Sequence, residues 1–129
     1  MARVVRAFPV LPGKEQAARE FAATVATARR DEASTFYKRY GVTRESWHLQ
    51  NTANGAFIIV VTELGASPGI QVNVQAQAYA NAQHAFDRWF KDSVRELCGV
   101  NPDEQPLGPP TVQVFEWSDE TRPNSNICA

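Results

Sequence analysis

The sequence is poor in the residue types that most often hold metal ions or form disulfides. It contains two cysteines and two histidines in 129 residues. Cys98 lies at the end of a predicted helix and Cys128 lies in the polar C-terminal tail, which is not the pattern of a disulfide framework. The four side chains also lack the short paired spacing that brings zinc ligands together on one element. We therefore expect two free thiols and no metal site.

The chain has almost no net charge and no long apolar run. Thirteen basic residues face fourteen acidic ones, for a net charge of −1, so no broad field attracts phosphate backbones or anionic lipid. No stretch of about eighteen apolar residues occurs, and the N-terminus leads directly into a strand-like pattern. These features predict no nucleic-acid partner, no membrane partner and no signal peptide, and with them a cytoplasmic location.

The composition that is present is that of an ordinary folded protein. Hydrophobic residues make up 43% of the chain and charged residues 21%, which is enough apolar material for one core at this length. Residues 118–129 are polar and show no periodicity. We therefore predict a single domain over residues 1–117 and a disordered tail over residues 118–129.

Strand-like and helix-like periods alternate along the first half. β-Branched and aromatic residues over positions 3–10 predict a strand that ends near Pro9. Apolar residues then recur at helical spacing from Lys14, and the helical stretch ends at Gly41. Residues 42–50 alternate again as a strand does.

A β-hairpin is the strongest local signal. The Asn54-Gly55 pair readily adopts positive φ and precedes the run from Phe57 to Val61. Because this run is apolar at every position, it predicts a strand that is covered on both faces. Helices account for one face, and something else must cover the other.

Residues 70–82 are ambiguous. Their polar and apolar positions alternate as in a strand, whereas their alanine and glutamine content favours a helix. We predict a helix from about residue 71, because a further helix is needed to cover the sheet.

The next segment has a clear helical period. An apolar stripe from Phe86 to Leu97 predicts a helix that Gly99 ends. Asp87 and Arg88 fall between the aromatic residues, and we expect them to face water or to pair locally, for example Asp87 with Lys91 at i,i+4.

The chain closes with a proline-rich connector and a predicted strand. Residues 101–110 contain four prolines and favour an extended conformation. Residues 111–117 alternate between two faces, which predicts a last strand. The resulting order βαββαβ places both helical layers on one face of a four-stranded antiparallel sheet, an α+β fold of the ferredoxin-like kind.

Three features carry a resemblance to a known superfamily, namely Pro-Gly-Lys-Glu at residues 12–15 followed by Phe21, the mid-chain hairpin and the aromatic helix from Phe86 to Phe90. With them the chain resembles the dimeric α/β-barrel superfamily, which includes antibiotic-biosynthesis monooxygenases, small polyketide cyclases, muconolactone isomerases and haem-degrading monooxygenases. Within it, the segments at residues 8–14, 41–47 and 86–91 look most like those of an uncharacterised bacterial group.

The resemblance implies an assembly and a class of function. Members typically pair sheet to sheet, so we expect a homodimer. The implied function is that of a monooxygenase, cyclase or isomerase that moves protons on a small apolar or aromatic molecule without a cofactor. The alternative is a dimer that binds a ligand or has a structural role and makes no bond.

His48 is the candidate catalytic residue, because histidine exchanges a proton near neutral pH. It alternates with Ser46 and Gln50 along the strand, so these three side chains share one face. A histidine on a strand is also often a hydrogen-bonded structural or interface group, and both roles stay open.

Aromatic residues are the candidates for binding a flat substrate. Tyr37, Tyr40, Trp47 and Trp89 can stack on an aromatic ring, and a phenol hydroxyl can polarise a carbonyl. The alternative role of these side chains is core packing.

No cofactor is expected. The haem-degrading branch of the superfamily is thought to depend on an asparagine, a tryptophan and a histidine. Trp47 and His48 are adjacent on one strand and point in opposite directions, so they do not face one ligand together. The sequence also lacks a glycine-rich phosphate loop and a nucleophile elbow.

Overall fold

A three-stranded antiparallel sheet lies at the centre of the structure, a computed structural model that describes residues 2–65 and 76–119. The strands are β1 (Ala2–Val10), β2 (Val42–Thr52) and β3 (Gly55–Leu64). Their order is β1-β3-β2, so β3 pairs on both edges. The α+β class is confirmed, whereas the described residues form three strands and not the four predicted.

The helices follow the predicted pattern. They are α1 (Glu15–Ala26), α2 (Arg30–Arg39), α3 (76–81) and α4 (Ala85–Cys98). Gly41 and Gly99 follow α2 and α4 with φ of 73° and 72°. A residue with a Cβ adopts this conformation only at an energetic cost, so glycine is favoured there. Each glycine ends its helix as predicted. The helical interpretation of residues 70–82 is confirmed for residues 76–81. Residues 70–75 lie outside the described part of the chain.

The predicted hairpin connects β2 and β3. Thr52 pairs with Gly55 across a two-residue turn, and Gly55 has a φ of 118°. The Thr52 hydroxyl donates to the Gly55 carbonyl oxygen over 2.7 Å and accepts from the backbone N–H of Asn54. The turn thereby sets the register of the strand pair.

Alternation along the strands gives the sheet two different faces. The helix-facing side carries Val4, Arg6, Phe8, Glu45, Trp47, Leu49, Ile58, Val60, Thr62 and Leu64. The opposite side, here called the outer face, carries Val5, Ala7, Ser46, His48, Gln50, Phe57, Ile59 and Val61. On the outer face the apolar side chains of β3 stay partly exposed in the single chain.

Helices and sheet enclose an aromatic core. Phe36 of α2 lies at its centre and makes edge contacts with Tyr40, Tyr79 and Phe86 at centroid distances of 5.2–5.6 Å. Edge-to-face geometry of this kind is favoured by the ring quadrupoles. A second buried cluster around Val10, Ala18 and Leu97 packs at the other end of the sheet.

The predicted last strand does not form in the described chain. Pro110 makes one bridge to Arg6, and the Thr111 hydroxyl donates to the Val5 carbonyl oxygen. Beyond this point no strand follows, and the large apolar side chains of residues 112–117 are 74–92% exposed. The preceding prolines lack the N–H that a ladder needs. The bridge register places residues 111–114 opposite residues 5–2, the first residues of β1, so residues 115–117 would have no partner on this strand.

The prediction that Asp87 faces water or pairs with Lys91 is wrong. Both are fully buried. Asp87 accepts hydrogen bonds from the Arg39 guanidinium, at 2.9 Å, and from the Tyr40 hydroxyl. The Lys91 ammonium donates to the Ala80 and Ala82 carbonyls and to Asp103 at 3.1 Å. Neighbouring segments cover two sides of α4, which its own sequence does not reveal.

Asp87 is expected to be essential to the stability of the fold. Asp87→Ala removes the acceptor of Arg39 and Tyr40 inside the protein and should lower the free energy of unfolding by about 3 kcal/mol. Asp92→Ala is the control, because Asp92 lies on the same helix and is 59% exposed; its cost should stay within about 0.5 kcal/mol. Urea unfolding followed by circular dichroism measures both. Equal losses would show that the buried network does not stabilise the fold.

Candidate functional site

A cavity of about 140 Å³ lies between the helices and the helix-facing side of the sheet. Its floor includes Ile58 and Val60 of β3, and its wall includes Phe21, Phe36 and Phe90. Apolar cavities of about 150 Å³ in other proteins bind a benzene ring. The space therefore suits a ligand with one small ring.

Glu45 brings a carboxylate into this apolar lining. Its side chain accepts hydrogen bonds from the Tyr37 hydroxyl at 2.6 Å, the Trp47 indole N–H at 2.8 Å and the Thr62 hydroxyl at 2.7 Å. All three donors are uncharged, so they orient the carboxylate without neutralising it. A carboxylate offers about four acceptor sites, and one of them stays free for a further proton donor.

Arg6 brings the opposite charge to the other side of the cavity. Its Nη1 donates to the Val5 carbonyl oxygen at 3.0 Å, whereas its Nε is buried and has no hydrogen-bond partner within the described chain. Burial lowers the pKa of Arg6 from its ordinary value. The register places Arg6 opposite Val60 and Glu45 opposite Thr62, on the two strands that flank β3, so their backbones lie about 12 Å apart.

The tyrosines around the cavity are held in their neutral form. Burial, followed by the nearby charge of Glu45, raises the pKa of Tyr37 and of Tyr79 far above the ordinary value. Burial and the hydrogen bond to Asp87 raise the pKa of Tyr40 to about 12. At neutral pH these phenols therefore act as hydrogen-bond donors and not as bases.

Three of the five predicted site residues come together in this cavity. Tyr37, Tyr40 and Trp47 line it. Trp89 lies outside the lining, where its ring packs on Phe21 and under the Arg29 guanidinium.

The fifth predicted residue, His48, lies on the outer face, because adjacent strand positions alternate. Its Nε2 is 2.9 Å from the Ser46 hydroxyl. The cavity and His48 are thus on opposite sides of the sheet.

Sequence reasoning did not single out the two charged residues of the cavity. Glu45 precedes Trp47 by two positions on β2, and Arg6 lies between Val4 and Phe8 on β1. Period two therefore puts each of them on the same face as its apolar neighbours. The signal available in the sequence was a charged residue at an inward-facing strand position. This signal can be recognised only when the inward face of the strand is known.

Other reactive groups in the described ranges offer less. No three carboxylate, histidine or cysteine side chains converge there as metal ligands do. Cys98 is a free thiol, and burial raises its pKa to about 11; Cys128 lies outside the described residues. Among the helices described, none has the length and apolar character needed to cross a bilayer.

Comparison with protein-family models, with curated proteins and with solved structures found no match.

The three tyrosines of the chain should resist deprotonation as long as the protein is folded. For the folded protein, absorbance at 295 nm should stay flat through pH 10 and rise first near pH 12. In strong denaturant all three tyrosines should titrate near pH 10, the ordinary pKa of a tyrosine. Because the unfolded state loses these protons first, stability is full below about pH 10 and falls as pH rises toward 12. Tyr40→Phe should remove the first step. A folded-state rise near pH 10 would contradict the burial of these phenols.

Proposed function

We propose that this chain is a small-molecule enzyme that moves a proton on an apolar or aromatic substrate without a cofactor. This is the chemistry that its resemblance to monooxygenases, cyclases and isomerases implies. The observation that carries the proposal is the Glu45 carboxylate, which lies inside an aromatic-walled cavity and is oriented by three uncharged donors.

A carboxylate in such surroundings is the right kind of group for a general base. Moving a charge into an apolar cavity is costly unless the charge is paired or hydrogen-bonded, and Glu45 has hydrogen bonds only from neutral groups among its described contacts. Its free acceptor site can take a proton from a ligand C–H or O–H that approaches within about 3 Å. Tyr37 donates a hydrogen bond to the same carboxylate and keeps that carboxylate in place while the proton is transferred.

A ligand-binding role without chemistry is the second candidate. It is favoured by the size of the cavity, about 140 Å³, which leaves room for little more than a single ring. It is also favoured by the three hydrogen bonds that already occupy Glu45, because they leave its carboxylate few positions at which to accept a proton.

Deuterium exchange on phenylpyruvate separates the two candidates. This keto acid carries an aromatic ring and an acidic C–H, and its exchange in D₂O is followed by proton NMR. The chain should accelerate the exchange above buffer, and Glu45→Gln should lower the acceleration about 100-fold or more, because the amide keeps the shape but not the base. Glu63→Gln is the matched control, since Glu63 lies on the outer side of β3 and pairs with Arg3.

The same assay tests the role predicted for His48. If Glu45 is the base, the His48→Ala variant should catalyse the deuterium exchange at the same rate as the unaltered chain. Loss of exchange in His48→Ala together with full activity in Glu45→Gln would move the chemistry to the outer face. Equal rates in Glu45→Gln and the unaltered chain would exclude Glu45 as the base and favour the binding role.

We also propose that the chain works as a homodimer whose outer faces meet. The supporting observation is an apolar row on that face, formed by Val5, Ala7, Phe57, Ile59 and Val61. These side chains stay partly exposed in the single chain. A contiguous apolar patch on a sheet is typical of a protein interface, and a second copy supplies a complementary patch by symmetry.

The exposed C-terminal segment supports the same assembly. Because Pro110 pairs with Arg6, residues 113, 115 and 117 have the parity of the outer face. Phe115 and Trp117 fall beyond the end of β1 and are 79% and 74% exposed. In a dimer they can reach the outer face of the other subunit, which buries both surfaces.

Size-exclusion chromatography with light scattering tests the dimer. Ile59→Lys places a charge at the centre of the apolar row and should give a single-chain mass, while Gln50→Lys, at the margin of the same face, should leave a dimer. Phe115→Ser combined with Trp117→Ser should weaken the dimer about ten-fold or more, since two large side chains lose their cover. A single-chain mass for the unaltered protein would overturn the proposal.

A further inference from the structure

We propose that Arg6 binds a carboxylate group, so that the molecule in the cavity is a small aromatic or apolar monocarboxylate. This inference rests on the proposed function in one respect, namely that the cavity takes a ligand, and it names the chemical class of that ligand.

Arg6 is a cation whose hydrogen-bonding capacity is unfilled. A guanidinium carries five N–H donors, and here the Nε donor is buried with no partner among the described residues. The surrounding lining is apolar, with Val4, Phe8 and Ile58 as near neighbours in register. A buried N–H without an acceptor is unfavourable, and an anionic ligand would supply the acceptor.

Two other arginines of the fold each have a carboxylate partner. Arg3, on the opposite side of the same strand, reaches Glu63 at 3.5 Å. Arg39 pairs with buried Asp87 at 2.9 Å. Arg6 lies across β3 from Glu45, and the described hydrogen bonds of both side chains go to other groups. The gap between them is the cavity itself.

The chemistry of the guanidinium selects a carboxylate among anions. Two parallel N–H groups match the two oxygens of a carboxylate in one plane. A phosphate dianion would bring a second charge into an apolar lining at a greater desolvation cost. Aromatic and aliphatic side chains make up the rest of the lining, so the remainder of the ligand is apolar.

Arg6 and Glu45 then contact different parts of the ligand. With its carboxylate at Arg6 on β1, the ligand extends over β3 toward Glu45 on β2. The carboxylate of the ligand stays at the far side from Glu45, which limits their repulsion. The reacting C–H or O–H of such a ligand lies on the side of its carboxylate that faces Glu45.

Benzoate and benzamide test the inference, because they share size and shape and differ in charge. Binding is followed by NMR on the indole N–H signals. Trp47 lines the cavity, Trp89 lies outside the lining, and Trp117 is 74% exposed, so the last two act as internal references. We expect benzoate to shift the Trp47 signal and to bind about ten-fold or more tightly than benzamide.

Substitution of Arg6 provides the second arm. Arg6→Met keeps an apolar stem of similar length and should abolish the preference for benzoate while benzamide still binds. Arg3→Met, on the other side of β1, should leave both affinities unchanged. If Arg6→Met does not fold, Arg6→Lys keeps the charge without the planar fork and should bind benzoate more weakly than the unaltered chain.

The outcomes separate the inference from the proposed function. Benzamide binding as tightly as benzoate to the unaltered chain, with the Trp47 signal shifted by both, would overturn the role of Arg6 and leave the ligand cavity intact. Failure of both compounds to shift the Trp47 signal would overturn the ligand cavity and the inference together.

Discussion

The burial of β3 is the constraint on which the rest of the structure depends. This strand pairs on both edges and is apolar on both faces. Its Ile58 and Val60 meet the helices, and its Ile59 and Val61 lie on the outer face. A strand of this kind is stable only when both faces are covered. The helices cover one, and the proposed dimer covers the other.

The cavity follows from how the helices cover the sheet. Large rings from α1, α2 and α4 contact one another around Phe36 and leave a space above β3. Strand alternation then directs every second residue of β1 and β2 into that space, charged or not. Arg6 and Glu45 enter it on opposite sides, which gives a small apolar cavity a cation and an anion at its two ends.

Buried polar groups hold the helices in place around this cavity. Asp87 joins α4 to α2 through Arg39 and Tyr40, and Lys91 joins α4 to the carbonyls at the end of α3 and to Asp103. Such groups are costly to bury singly and become tolerable when every partner is present. The position of the aromatic wall therefore depends on polar contacts beneath it.

Local patterns determined the strands β1 to β3 and the helices α1, α2 and α4, where Gly41 and Gly99 end helices, and that Trp47 and His48 face opposite ways, because these depend on neighbours along the chain. Only the tertiary structure decided which face of β2 is inward, and therefore that Glu45 and not His48 reaches the cavity. It also decided that Asp87 is buried and that residues 111–117 leave the sheet, since burial and strand pairing depend on segments distant in sequence.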